Sequence, residues 1–256
     1  MIVAIFNPKG GVGKTTTAVN VAASLAHSGQ SVLLVDLEAD MNASISLGVR
    51  PADAQPSVFE LLLHDARPTD VVRPVARVPN LQLITGSAAL ADIDCALRHV
   101  RHAERRLADV VRPLAAMFDA VVLDCPAGFS PLATSVPETA DHLVVPMRAE
   151  YLSLESLAFF FRWYRDRRKA QKGLAGIAGV LLTMVDDRRQ ATREVVDIMR
   201  RHNRHGVFRT QIPLDQRAAE APSHGLPLVG SARSRAAAAY EQFTTELLGR
   251  LRRHGR

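Results

Sequence analysis

The stretch Lys9-Gly10-Gly11-Val12-Gly13-Lys14-Thr15-Thr16 follows the apolar run Ile2-Val3-Ala4-Ile5-Phe6 and leads into a helical pattern that continues to His27. That order of strand, glycine loop and helix decides the fold. Glycines let successive backbone N–H groups turn inward around a phosphate chain, the helix start adds its positive dipole end, and a lysine placed as Lys14 is reaches the outer phosphates. Thr15 stands where a hydroxyl ligates Mg²⁺. The general pattern G-x-x-x-x-G-K-[ST] fails at its first glycine, where the chain has Pro8, and an additional lysine, Lys9, occupies a position for which an ordinary phosphate loop has no use.

Outward from the loop, apolar runs bounded by turn residues recur at Met1–Phe6, Ser31–Asp36, Leu81–Thr85, Ala120–Asp124, His142–Pro146, Ile177–Thr183 and Val207–Ile212. Helical patterns at Lys14–His27, Ala88–Met117, Leu152–Lys169, Gln190–His202 and Arg235–Leu251 separate or follow them. Strands apolar at nearly every position and alternating with helices predict an α/β fold, doubly wound, with a mainly parallel sheet covered by helices on both faces. Ligands of such sheets sit at the carboxyl ends of the strands. Three runs end in Asn7-Pro8-Lys9, Asp36 and Asp124, so the phosphate loop and two carboxylates should meet at one sheet edge. Asp124 closes Ala120-Val121-Val122-Leu123, the arrangement that holds Mg²⁺ directly or through water. Asp36 and Glu38 sit at alternate positions and project the same way if strand geometry persists, one to support the metal and the other to position the attacking water.

With 256 residues and 47% apolar content the chain can bury a large core, and no linker, repeat or low-complexity segment divides it. One domain over residues 1–256 is expected. The Pro/Ala stretch Pro51–Pro56 reads as a surface loop. No apolar run approaches the ~20 residues of a membrane span and the chain opens directly on a strand, so a cytoplasmic protein without leader or transmembrane helix is expected. Two cysteines, Cys95 and Cys125, are too few for a disulfide scaffold and read as reduced thiols. The formal net charge of +6 is unevenly placed: residues 1–161 carry 12 basic and 17 acidic side chains, and residues 162–256 carry 20 and 9. The C-terminal part, 162–256, therefore has the composition of a face that meets a polyanion.

Lys9–Thr16, Asp36–Asn42 and Asp124-Cys125-Pro126, in this order, resemble the ParA/MinD group of deviant Walker ATPases. Leu182-Thr183-Met184, Ile212-Pro213, Glu220-Ala221-Pro222-Ser223-His224-Gly225 and Arg233-Ser234-Arg235 followed by Tyr240 resemble ParA proteins of the Soj type. The resemblance implies an ATPase using ATP and Mg²⁺ in which two subunits dimerise face to face around two nucleotides and the dimer binds double-stranded DNA on the nucleoid without sequence preference. It implies that Lys9 reaches the other subunit's nucleotide, that Gly10, Gly11, Val12, Gly13, Lys14, Thr15, Thr16, Met184 and Pro213 line the nucleotide, and that Thr15, Asp36 and Asp124 serve the metal. The family pattern Asp-x-Asp-Pro-Gln-Gly-Asn reads here Asp36-Leu37-Glu38-Ala39-Asp40-Met41-Asn42, so the residue that positions the hydrolytic water is Glu38, with Asp40 as a second choice. A displacement on the order of 1 Å can cost ~10²-fold in rate where positioning is the mechanism, which implies slow, partner-stimulated hydrolysis.

By the same resemblance Arg188 and Arg217 fall at DNA-contacting positions, and Arg233 and Arg235 join them. Contacts of this type go to phosphates and should be weakened by salt. A ParB-like activator is the implied partner. The competing reading is a MinD-like membrane switch using the C-terminal tail, in which Phe243, Leu247 and Leu251 recur at helical spacing before a basic end. We expect that helix to dock on the sheet. The aromatic run Phe159–Tyr164 reads as part of an amphipathic helix that serves the core or a subunit contact.

Overall fold

The structure is a computed structural model and describes residues 1–64, 66–98, 100, 102–202, 206–230 and 233–254. Its seven strands are β1 (Ile2–Ile5), β2 (Val32–Asp36), β3 (Val72–Pro74), β4 (Leu81–Ile84), β5 (Ala120–Asp124), β6 (His142–Arg148) and β7 (Gly176–Thr183). They form one sheet in the order β3-β4-β2-β5-β1-β6-β7, parallel throughout except for β3, which runs antiparallel to β4 at the edge.

Eleven α-helices among the described residues surround it: α1 (Lys14–His27), α2 (Asn42–Ser46), α3 (Val58–Leu63), α4 (Pro68–Val71), α5 (Ile93–Leu97), α6 (Arg106–Leu114), α7 (Pro131–Thr139), α8 (Tyr151–Ala170), α9 (Gln190–His202), α10 (Gln216–Glu220) and α11 (Arg235–His254). Alternation along the strands explains why both faces need cover. Ile2, Ala4 and Phe6 enter a core shared with α6, α7 and α8, whereas Val3 and Ile5 enter one shared with α1 and α11.

Two sequence expectations change. The single helical pattern over Ala88–Met117 is broken: a 3₁₀ turn at Ala88–Asp92, α5, a second 3₁₀ turn at Ala103–Arg105 and α6 replace it. His102 adopts a left-handed φ of 58°, which an α-helix does not pass through; His99 and Arg101 of that pattern lie outside the described residues. The run Val207–Ile212 makes no regular strand. It lies beside β7 with single parallel bridges at Val180–Val207 and Val185–Pro213, but between them the Arg209 and Thr210 N–H groups donate to the Glu246 carboxylate of α11 at 2.8 and 2.9 Å. A carboxylate that takes two N–H groups in place of a strand's carbonyls interrupts the ladder there.

Candidate functional site

The loop between β1 and α1 is shaped by its neighbours before any ligand is considered. Asn7 is buried, donates to the Pro146 carbonyl at 2.7 Å and accepts from the Lys9 N–H at 2.9 Å, which turns the chain out of the sheet. Gly11 and Gly13 hold φ of 69° and 83°, conformations that side chains rarely take. A Cβ on Gly11 would meet nothing within 4 Å, so the concave side of the loop is open space. On its other side Thr183 donates to the Val12 carbonyl at 2.9 Å, and the Met184 methyl lies beside Gly13. The loop after β5 closes over the start, its Gly128 N–H donating to the Pro8 carbonyl at 2.8 Å.

Lys14, the first residue of α1, is buried and turns its ammonium back to the Lys9 carbonyl at 3.3 Å. The Lys9 ammonium donates to the Ser153 hydroxyl near the start of α8 at 3.0 Å. That end of α8 exposes Tyr151 and Leu152, and two turns further Phe159 stacks edge-on with the exposed Phe129 at 5.5 Å between ring centroids. Lys9 therefore stands beside an uncovered apolar surface.

The register places the acidic residues together, because Asp36 and Asp124 are direct partners across β2 and β5. They are not equivalent. Asp36 is fully buried, but its Oδ1 accepts the Glu38 N–H at 3.1 Å and its Oδ2 accepts both the N–H and the hydroxyl of Ser44, at 2.9 and 2.7 Å. Burial still raises its pKa, with the Ser44 bonds opposing. Asp124 is equally buried, and neither carboxylate oxygen has a hydrogen-bond partner among the described residues. Burial pushes its pKa well up and the charge of Asp36 pushes it further; the Thr15 hydroxyl and Lys14 oppose, the hydroxyl lying close without reaching hydrogen-bond geometry. An orphaned buried carboxylate is costly and calls for a cation. Glu38 is half-buried: burial raises its pKa, and Lys14 and the Ala127 N–H hold it down. Asp40 is exposed.

These residues fit a magnesium nucleotide. An open glycine cradle ends at a helix start, a buried ammonium lies beneath it, and a carboxylate that lacks partners faces the Thr15 hydroxyl. Thr15 and Asp124 would hold the metal, and Asp36, whose oxygens already take three donors, would support it from behind. Sequence reasoning missed Ser44, which braces Asp36, and Gly86, whose missing Cβ would fall 2.6 Å from the Glu38 carbonyl and 3.0 Å from the Asp36 carboxyl carbon. Gly86 meets the site only through the sheet order, with β4 beside β2, whereas Ser44 folds back on Asp36 from α2, the helix that follows the loop.

The arginines gather at one end of the molecule. Arg188 is exposed and paired with Asp186 through Nε–Oδ1 at 2.8 Å. Arg217, near the start of α10, donates to the Arg233 carbonyl, while Asp215 accepts the N–H groups of Arg217 and Ala236 at 3.0 and 3.2 Å and ties α10 to the start of α11. Arg235 opens α11 and lines one groove with Val185, Asp187 and Pro213. Pro213 thus lies one strand segment from the phosphate loop and beside the arginines.

The C-terminal tail packs as expected. Phe243, Leu247 and Leu251 are all buried against α1 and the sheet. Exposing them to enter a bilayer would give up on the order of 5–9 kcal/mol of burial. No described helix is long and apolar enough to cross a membrane. Cys125 is buried, Cys95 is exposed on α5, and no metal-holding cluster of His, Cys, Asp and Glu occurs among the described residues.

Comparison with known proteins agrees with this geometry. A family model described as an AAA domain matches residues 1–173. The chain is 36% identical over 247 residues to the sporulation initiation inhibitor protein Soj of Bacillus subtilis, covering 96% of this chain and 97% of that one. It is 36% identical over 255 residues to the chromosome-partitioning ATPase Soj of Thermus thermophilus, covering 97% and 96%. Among solved structures, cobyrinic acid a,c-diamide synthase from Mycobacterium smegmatis with a bound ATP analogue and magnesium superposes with a TM-score of 0.84 at 28% identity, covering 100% of this chain and 96% of that one.

Proposed function

The chain belongs to the ParA/MinD superfamily of deviant Walker A ATPases, with Soj and ParA partitioning proteins among its relatives, and from that premise we propose that it is an ATP-driven switch whose dimer holds DNA without sequence preference and releases it on hydrolysis, to segregate or position a chromosome, plasmid or other cargo. One observation supports the link between nucleotide and DNA. A single segment leaves β7 with Thr183 bonded to the phosphate loop and Met184 against Gly13, and five residues on it carries Arg188. Val185 is bridged to Pro213, which leads to Arg217.

Thr15 and Asp124 would hold Mg²⁺, which would supply charge neutralisation to the phosphates. Lys14 draws the phosphate chain into the glycine loop. Lys9, released from Ser153, reaches across the Tyr151–Leu152 face to a second copy, where its ammonium finds an anion only if nucleotide is present; that differential contact ties dimerisation to ATP. A Glu38 carboxylate oxygen orients water and takes its proton. A ParB-like activator with a basic segment would act on this site from outside.

The test is binding to random-sequence duplex DNA with ATP, with ADP and without nucleotide at two salt concentrations. Tight, salt-sensitive binding with ATP alone is expected, and Arg217→Glu should weaken it and flatten the log–log salt slope by about 1 while leaving ATP-dependent dimerisation intact. No binding in any nucleotide state would overturn the DNA reading, and loss of dimerisation as well would make Arg217 structural.

Glu38 gives a second expectation. Because burial raises its pKa, turnover should fall with decreasing pH through a value above the ordinary carboxylate range of about 4.3. Shortening the side chain in Glu38→Asp should change kcat and move this acid limb. A variant with the wild-type rate and profile would remove Glu38 from the mechanism.

A further inference from the structure

The segment Glu220–Gly225 has no role in the reading above, yet it packs on the end of α2, the helix that follows the hydrolytic loop. Gln216–Glu220 and the 3₁₀ turn Ala221–His224 form one arm that carries Arg217 near its start and ends in Gly225, at a φ of 62°. There the arm lies backbone to backbone on Gly48: a Cβ on Gly225 would fall 2.7 Å from the Gly48 Cα and 3.2 Å from its nitrogen. No side chain stands between the two, so neither can move far without the other.

Gly48 closes α2, its N–H donating to the Ile45 carbonyl at 2.9 Å. One turn earlier on the same helix, Ser44 grips Asp36 Oδ2 with both its N–H and its hydroxyl, and that hydroxyl also accepts the Gly86 N–H at 3.1 Å. Asp36 in turn holds the Glu38 N–H. A continuous chain of short contacts therefore runs from the arm bearing Arg217 to the backbone of the residue that faces the water.

We infer that Gly225 is a positioning residue for hydrolysis: its bare backbone seats α2, and α2 fixes the Asp36–Glu38 loop. The inference rests on the ATPase reading of the site. It assigns the arm a second task besides presenting Arg217, because an arm displaced by whatever Arg217 binds shifts α2 and with it Glu38.

The test compares Gly225→Ala with Gly173→Ala. Gly173 has a φ of 84° and open space where its Cβ would be, so its variant carries the same kind of backbone strain without the collision. We expect Gly225→Ala to lower kcat about tenfold or more with the KM for ATP within twofold, and Gly173→Ala to change neither beyond twofold. Hydrogen exchange of the amides over residues 38–48 should accelerate in Gly225→Ala alone, a readout that does not depend on turnover. Gly48→Ala, whose Cβ would meet the Gly225 carbonyl at 3.4 Å, should fall between the two. Equal turnover in the Gly225 and Gly173 variants, a loss expressed only in KM, or unchanged exchange over 38–48 would each overturn the inference. A wild-type protein that binds no ATP would overturn the ATPase reading instead, and exchange would still decide whether Gly225 seats the loop.

Discussion

Lys14→Ala is expected to lower the affinity for ATP by at least about 100-fold. Hydrogen bonds from a charged donor contribute about 1.5–3 kcal/mol each, and an ammonium that bridges two phosphates makes two of them. At about 1.4 kcal/mol per tenfold, their loss removes two decades or more. The structure adds a reason why no neighbour can substitute. Lys14 holds down the pKa of both Glu38 and Asp124, and the Lys9 ammonium is directed to Ser153. Without Lys14 the cradle would face an anionic phosphate chain with three carboxylates behind it. Titration with a fluorescent ATP analogue, alongside a circular dichroism spectrum to verify the fold, measures the change. Wild-type affinity in a folded variant would sink the assignment of the glycine loop.

That site was legible in the sequence for a physical reason. The phosphate loop needs glycine where φ is positive and lysine at a fixed offset, so its chemistry is written in consecutive residues. Asp36 and Asp124 are far apart in the chain, but each closes an apolar run, and a parallel sheet brings the carboxyl ends of its strands to one edge. Register then made them direct partners. Ser44, Gly86 and Gly225 could not be read in the same way. Gly86 and Gly225 act through contacts made by the order of the elements, β4 beside β2 and the α10 arm beside α2, and Ser44 through the way α2 folds back on Asp36; nothing in the residues around them encodes those neighbours.

The misread elements follow the same division. The helical pattern over Ala88–Met117 was apolar at suitable spacing, but periodicity reports which face is buried and not whether the backbone is continuous, and the left-handed turn at His102 leaves no such trace. Two short helices carry local signals of their start. Ser57 and Glu60 form a capping box at the start of α3, and Ser130 with Pro131 marks the start of α7. The edge strand β3 has three residues and ends in Pro74, too short for any alternation to show.

Asp124→Asn is expected to make the nucleotide-free protein more stable and to reduce the stabilisation that Mg²⁺ gives its nucleotide complex. Asp124 lies fully buried without a hydrogen-bond partner among the described residues, beside the charge of Asp36. Its folded pKa is raised well above the ordinary value, so the folded state holds the proton more tightly than the unfolded chain does. The sign follows: the stability contributed through this group is fully present below the ordinary carboxylate pKa of about 3.9 and is lost as pH rises toward the folded value. At neutral pH the unfolded chain has released this proton, so the folded state carries a deficit. Asparagine has the same shape and no charge to lose, so the variant should gain about 1–3 kcal/mol, a rise in Tm of a few degrees for a chain of this size. The wild-type protein recovers that deficit when a cation meets the carboxylate; the variant has nothing to recover. Melting curves at acidic and neutral pH, each with and without Mg²⁺ and ATP, separate the cases. A nucleotide-free variant that melts below wild type at neutral pH, or one whose nucleotide complex gains as much stability from Mg²⁺ as the wild type does, would show that the orphaned carboxylate of Asp124 is not held in reserve for the metal.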